Sequence, residues 1–419
     1  MLEPHQLANA EKGIKILNEF GMVYLSMETR TGKTRTSLKI AELGNFKNVL
    51  CLTKKSAIED FVKQYKEEGF IYNLTVLNYE QLHTVSPVYD LYILDEAHSL
   101  GTFPKPSVKT KKLKKLIGNT SVVYASGTPW SESGSQLFHQ FWISKKSPFC
   151  YISFYKWAKD YVDKKEEMRQ GNLINNYKKA KMDLILPKIQ HLFIKTTQKE
   201  AGFKNTEIIE EIFFVKPDPR IYTLVDLILK DGVYTFKDGK SIECDTAVKK
   251  QLKIHQIFSG TVKTDCGDYK ILDYSKANYI KENYKGKKIA IFYKFIAEGK
   301  ALKEVFSNWT DLATDFNNSS DLVYIKQIQS GSMGINLASA DVLIFYNIDF
   351  SVMQYIQAKA RIQNMRKETP ANIHWIFTEN GIESKIYKTL QKKQSYTIFF
   401  FLQDFIYGKQ NTERYNQVS

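Results

Sequence analysis

GMVYLSMETRTGKT, residues 21–34, decides how the rest of the chain is read. GMVYLSM at 21–27 reads as a short buried strand, and TGKT at 31–34 opens a helix running to about Leu43. Strand, glycine turn and helix start, in that order, make an anion cradle. The first N–H groups of the helix have no intrahelical acceptor, and the helix dipole favours negative charge there. Thr31 and Gly32 supply the close turn, Lys33 can reach the outer phosphates of a nucleotide, and the Thr34 hydroxyl can hold Mg²⁺. The strict GxxxxGK[ST] pattern fails by one residue, because Met27 stands at its first glycine, but the end that carries the chemistry is intact.

LYILDEAHS at 91–99 is the natural partner of that loop. An apolar strand there ends in Asp95 and Glu96. Asp95 can meet the ion held by Thr34, and Glu96 can polarise an attacking water. His98 reads as a residue coupling the site to its surroundings. A zinc site is a poor reading, since no second histidine is near. VVYASG at 122–127 is another strand, and the hydroxyls of Ser126 and Thr128 beyond it either bond the acid pair or close a plain turn.

Around these motifs, helices are expected over 5–19 and up to Tyr65, and strands at 49–53 (VLCLT) and 74–79 (LTVLNY). Strands alternating with helices predict a mostly parallel sheet covered on both faces, with ligands beyond the carboxyl ends of the strands. Gly32, Asp95 and Thr128 all lie just past strand ends. The rhythm is lost over 131–247, where long polar helices such as 155–180, a strand-like IEEIFFVK at 209–216 and a hairpin at 233–242 around Asp238-Gly239 are expected. A second alternating block begins near residue 250, with strands KIAIFY (288–293), LVYI (322–325), VLIFYN (342–347) and IHWIFT (373–378) and a helix over 351–364. The resulting division is a first α/β lobe with a helical extension over 1–205, a bridge over 206–249, a second lobe over 250–395, and a C-terminal helix and tail over 396–419.

A length of 419 residues fits two or three domains. The formal charge of +15 favours a polyanionic partner. Lysine runs at 105–115, 249–253 and 281–288 each read, taken singly, as a solvated face. The four cysteines are widely spaced and form no CxxC pair, which argues against a disulfide scaffold and for a reducing compartment. The N-terminus lacks a signal-peptide pattern, and no run of 18 apolar residues occurs, so a cytoplasmic location without a membrane span is expected.

The order of these elements resembles the superfamily 2 helicases and translocases, and within them the Swi/Snf-like, DEAH-box branch. The resemblance covers nearly the whole chain. It implies two tandem RecA-like lobes of the P-loop NTPase fold joined by a helical bridge, with ATP and Mg²⁺ in the inter-lobe cleft. LEPHQLANAEKGIKIL looks like the segment whose glutamine reads adenine, which implies that role for Gln6. METRTGKT and DEAH match the two nucleotide motifs, making Lys33, Asp95 and Glu96 catalytic. LCLTKKSAIEDFVKQY, with Phe61 where the family usually has tryptophan, implies nucleic-acid contacts at Thr53 and Lys54, and LNYEQL implies one at Tyr79. SGTPW resembles the link between hydrolysis and movement. FIKTTQKE at 193–200 stands where the family often has an arginine-rich run. In the second lobe KIAIFYKFIAEGKALKEVF resembles the fourth motif. QSGSMGINLASADVLIFYN resembles the fifth, implying strand contacts at Ser330, Ser332 and Asn336 and close approach at Gly334. SVMQYIQAKARIQNMRK resembles the sixth, placing Gln357 and Arg361 at the nucleotide. The family's second arginine, three residues after Arg361, is replaced by Asn364. Three alternatives stay open: Arg366 standing in, Arg361 serving alone, or a partner rescuing a weak basal rate.

The implied function is an ATP-driven motor on nucleic acid, in first place a DNA-stimulated ATPase translocating on double-stranded or branched DNA. Two alternatives stand beside it: a strand-separating DNA or RNA helicase, for which the 233–242 hairpin is the candidate pin, and a catalytically weak nucleic-acid clamp. A metabolic kinase would leave the second α/β block unexplained. Compactness, unusual composition and minimal decoration suggest a bacteriophage or small mobile element; a monomeric motor is expected, in the host cytoplasm if phage-encoded, with a phage or host replication or recombination protein as a possible partner.

Overall fold

The computed structural model describes residues 2–86, 88–130, 132–169, 172–331, 335–349, 358–363, 365 and 367–391. The chain divides into two compact units, the first spanning Met1–Phe203 and the second beginning at Lys204.

The first unit is built on six parallel strands. In chain order these are β1 (Met22–Met27), β2 (Asn48–Thr53), β3 (Asn73–Asn78), β4 (Leu91–Asp95), β5 (Ser121–Ala125) and, after an antiparallel hairpin of β6 (Lys165–Arg169) and β7 (Asn172–Asn176), β8 (Phe193–Thr196). The sheet order is β3-β2-β4-β5-β1-β8. The central strands are near-continuous apolar runs because both faces are covered; Val23, Leu25, Ile93, Leu94, Val122 and Val123 are fully buried. Helix α1 (Pro4–Phe20) starts at a Glu3 cap, where Gln6 Oε1 accepts the Glu3 N–H at 3.1 Å, and stops at Gly21 in the left-handed conformation. It packs with α2 (Lys33–Leu43) beside β1. β5 lies between β1 and β4 with parallel register on both sides, so the turns following all three strands meet on one edge of the sheet.

The second unit holds another six-stranded parallel sheet and two small antiparallel hairpins. Its strands are β9 (Ile208–Val215), the pair β10 (Val233–Thr235) and β11 (Ser241–Glu243), the pair β12 (Thr261–Lys263) and β13 (Tyr269–Ile271), then β14 (Ile289–Tyr293), β15 (Trp309–Thr310), β16 (Val323–Gln327), β17 (Val342–Phe345) and β18 (Ala371–Thr378). The main order is β15-β16-β14-β17-β18-β9. Alternate side chains feed two cores. Ala290, Phe292, Leu343, Phe345, Ile373 and Trp375 pack on one face, and Ile289, Ile291, Val342, Ile344 and Ile376 on the other. The chain therefore has two large parallel sheets, each flanked by helices, as expected of tandem RecA-like lobes.

One local expectation is corrected and two are carried further. The long polar helix over 155–180 is a short helix, Phe154–Tyr161, followed by the β6–β7 hairpin; the helix ends as Val162 turns to extended backbone. The strand-like 209–216 is not free-standing: β9 pairs along its full length with β18, which seats this part of the 206–249 stretch in the second sheet. The hairpin at 233–242 forms, with Gly239 at φ 79°, but its turn is tied down. Asp238 pairs with Lys270 at 2.6 Å and Lys240 with Asp268 at 2.7 Å, both carried by the neighbouring hairpin. The helix over 351–364 and the segment 396–419 fall wholly or largely outside the described residues. Among those described, no helix is long and apolar enough to cross a membrane.

Candidate functional site

After β1 the chain turns through two left-handed residues, Arg30 (φ 67°) and Gly32 (φ 91°), before α2 begins at Lys33. A side chain at Gly32 would be strained by that angle, and its Cβ would fall 2.1 Å from Gln6 Nε2. The same proximity brings the Gln6 amide against the loop, where His5 Nε2 lies 2.8 Å from the Thr31 carbonyl. Thr31 is buried and its hydroxyl donates to the Glu28 carbonyl at 2.8 Å. The Lys33 ammonium donates to the carbonyls of Met27 and Glu28, each at 3.0 Å. The loop thus curls around its own lysine, at a helix start whose first amides have no intrahelical acceptor. Thr34 sits at that start, its carbonyl accepting from the Ser37 hydroxyl.

The acid pair is built from beneath. The Thr53 hydroxyl, fully buried, donates to Asp95 Oδ2 at 2.6 Å, and the Tyr79 hydroxyl donates to the Asp95 carbonyl at 2.7 Å. Desolvation and the neighbouring Glu96 charge push the Asp95 carboxyl above its usual range. Glu96 occupies a left-handed turn (φ 50°), a costly conformation for a residue with a Cβ. Desolvation would raise its carboxyl too, but a hydrogen bond and charge from His98, with Lys33 and Lys54, outweigh it and hold Glu96 below the carboxylate range.

His98 joins two segments. Its Nδ1 lies 3.1 Å from Glu96 Oε2 and 2.9 Å from Ser126 Oγ. A carboxylate only accepts, so the proton sits on Nδ1, facing both oxygens. Ser126 Oγ in turn accepts the Thr128 N–H at 3.2 Å. Next to it Gly127 faces the Lys33 loop; a Cβ there would lie 3.7 Å from Lys33 Nζ and 3.4 Å from the Met27 carbonyl. Lys33, Asp95, Glu96, His98, Ser126 and Thr128 therefore belong to one constellation on one edge of the first sheet.

Of the residues that the resemblance implies as nucleic-acid contacts, two are buried in the structure. Thr53 and Tyr79 are buried and support Asp95, whereas Lys54 is half-buried beside Glu96. The sequence reading missed a buttress behind the loop. β8 runs beside β1, and Gln198 just past it donates through its backbone N–H to Glu28 Oε2 at 2.7 Å and through its amide to the Thr29 carbonyl at 3.1 Å. The visible signal was FIKT, a short apolar run leading into polar residues at 193–196.

In the second unit, Asn336 is exposed and its Oδ1 accepts the Ala338 N–H at 3.1 Å. The Leu337 N–H donates to the Arg361 carbonyl at 3.0 Å, which places the segments around Leu337 and Arg361 side by side, with Arg361 half-buried. Ser330 belongs to the short helix Ile328–Gly331. Ser332, Gly334, Gln357, Asn364 and Arg366 lie outside the described residues.

No family model matches the chain. Curated proteins do. An uncharacterized ATP-dependent helicase of Mycoplasma genitalium is 22% identical over 324 residues, 72% of this chain and 30% of that protein. The SWI/SNF-related matrix-associated actin-dependent regulator of chromatin subfamily A containing DEAD/H box 1 homolog of Drosophila melanogaster is 33% identical over 84 residues, 20% of this chain and 10% of the relative. The Caenorhabditis elegans protein of the same description is 26% identical over 193 residues, 40% and 19% of the two chains. The chain is a distant homologue of Swi/Snf-family ATP-dependent helicases and translocases. It spans less than a third of the length of each of these relatives.

Proposed function

We propose that the chain is an ATP-dependent motor on nucleic acid, specifically a DNA-stimulated ATPase that translocates on double-stranded DNA. The observation that carries the reading is the convergence of the Lys33 loop, the Asp95–Glu96 pair and the Ser126–Thr128 turn, joined through His98. The site's own chemistry fits a nucleotide with Mg²⁺: a helix start whose first amides have no intrahelical acceptor, a lysine whose charge reaches both acids, and a carboxyl raised by desolvation and like charge, which a cation would relieve. Thr34 and Asp95 would hold the ion, and Gln6, Thr31, Gly32 and Lys33 the nucleotide. Bound Mg²⁺ would supply charge stabilisation at the phosphate oxygens.

The remaining work falls to side chains. Glu96, ionised and aimed by His98, orients the attacking water and takes its proton. Lys33 exchanges the Met27 and Glu28 carbonyls for phosphate oxygens. Because His98 touches both Glu96 and Ser126, a change in occupancy at the acids reaches the turn at Thr128, a route by which hydrolysis can be coupled to movement.

The test is ATP turnover with and without duplex DNA, beside displacement of a triplex strand and separation of a labelled duplex. DNA-stimulated turnover and triplex displacement without duplex separation are expected. Lys33→Ala and Glu96→Gln each remove turnover, by on the order of 10³-fold or more. Glu96→Gln with unchanged turnover would refute the base assignment, and DNA binding without turnover in the unaltered chain would leave a clamp. Arg361→Ala is expected to lose turnover and retain nucleotide binding.

A further inference from the structure

The lysine run at 105–115 is more than a solvated face. Its core is a fourth helix of the first unit, Val108–Ile117, with sequence VKTKKLKKLI, capped by Ser107 Oγ accepting the Thr110 N–H. Thr110, Leu113 and Ile117 form its buried stripe. The five lysines divide by direction. Lys109 turns inward, donating to Ser99 Oγ at 3.1 Å with its ammonium 5.0 Å from the centre of the Tyr79 ring. Lys114 lies over Trp142, 3.5 Å from the ring centre, and donates to the Trp142 carbonyl. Lys111, Lys112 and Lys115 remain exposed on the side away from the stripe, together with Val108. Lys145, also exposed, is tied next to the helix end by its backbone, its N–H donating to the Gly118 carbonyl at 2.9 Å.

A face kept only for solubility would interleave both signs of charge. This helix contains no acid. None of Lys111, Lys112, Lys115 and Lys145 has a carboxylate within ion-pair distance among the described residues. Lysines three and four apart repel each other, each such pair costing a helix about 0.2–0.5 kcal/mol. The arrangement is thus unfavourable in the isolated protein and is relieved by an anion lying along it. The spacing fits a phosphate backbone: Lys111 and Lys115 are about 6 Å apart along the helix axis, near the axial length of two nucleotide steps of about 3.4 Å.

We propose that Lys111, Lys112, Lys115 and Lys145 form an additional contact surface for the phosphate backbone of duplex DNA, separate from the motif residues. The assignment rests on the proposed motor function. The surface grips without reading sequence, since lysine on phosphate carries no base information. Because Lys109 on the same helix reaches Tyr79 and Ser99, load on this face is felt within a few residues of Asp95 and Glu96.

The test compares the unaltered chain with Lys111→Gln/Lys112→Gln/Lys115→Gln and with a control of equal charge change, Lys12→Gln/Lys15→Gln/Lys47→Gln, whose lysines are exposed elsewhere on the same unit. The readout is the half-saturating duplex concentration for ATPase stimulation across a salt series. The first triple variant should need about tenfold more DNA at low salt. Its slope of log affinity against log salt should be shallower by about 2–3, at about 0.9 for each phosphate no longer neutralised. Its DNA-free turnover should be unchanged and its thermal midpoint unchanged or higher, which separates weakened grip from impaired folding. Equal effects from the control, or an unchanged slope in the first variant, would overturn the surface while leaving the motor reading in place. Absence of DNA stimulation in the unaltered chain would overturn both.

Discussion

Thr53 illustrates how a residue's role depends on where its neighbours fall. The family resemblance implies a nucleic-acid contact at this position, and in the structure the residue lies beneath Asp95 with its hydroxyl spent on that carboxylate. Thr53→Val keeps the shape and removes the donor. An unmet buried acceptor costs about 1–3 kcal/mol. The expected outcome is a stability loss of that size in urea unfolding, with a higher Mg²⁺ requirement for turnover and unchanged DNA binding. His139 makes a second prediction at this scale. It is buried, 2.6 Å from the Thr102 carbonyl, and desolvation, with Lys114 adding to it, lowers its pKa to about 4 against the hydrogen bond's upward pull. The unfolded chain binds this proton below about pH 6.5 and the folded chain only near pH 4, so the contribution is present above pH 6.5 and is lost as the pH falls through that window. Its full size is on the order of 3 kcal/mol. Unfolding free energies measured from pH 7.5 to 4.5 should fall less steeply in His139→Gln than in the unaltered chain, and parallel curves would refute the assignment.

At the scale of elements, strands whose both faces are buried were legible as apolar runs, and β1 to β5 and β14, β16, β17 and β18 stand close to where periodicity put them. β8 was not, because four residues with an exposed lysine carry too little pattern; only its pairing with Tyr24 to Met27 makes it a strand. That pairing matters to the site, since it delivers Gln198 to the loop's rear. Gln198→Ala is expected to raise the ATP concentration for half-maximal turnover several-fold and to cost about 1–2 kcal/mol. An ATP titration beside a thermal melt checks both. The 233–242 hairpin was legible from its Asp-Gly turn, but the ion pairs that tie its tip to the next hairpin join residues about 30 positions apart in sequence, and no local signal announces them.

On the scale of the whole molecule, each unit has its own apolar interior. Phe141 is buried in the first, and Trp375, stacked on Phe345 at 4.1 Å between ring centres, in the second. Two cores of this kind predict unfolding that departs from a single two-state transition. Phe141→Ala and Trp375→Ala should each remove about 3–5 kcal/mol, and from different transitions. A calorimetric scan of each variant checks this, and one common transition shifted equally by both would contradict it.

By itself the sequence determined the layered α/β architecture, the left-handed glycine turn before α2 and the acids at the end of β4, because these rest on local patterns: buried apolar runs, a glycine at a helix start and charge at a strand end. Tertiary structure alone decided what those acids stand on and what aims them. Thr53, Tyr79, His98, Ser126 and Gln198 come from separate turns, brought to one edge by β5 lying between β1 and β4 and by β8 closing beside β1. It also decided which lysines of 105–115 face solvent unpaired, since that depends on where Tyr79, Ser99 and Trp142 lie around the helix.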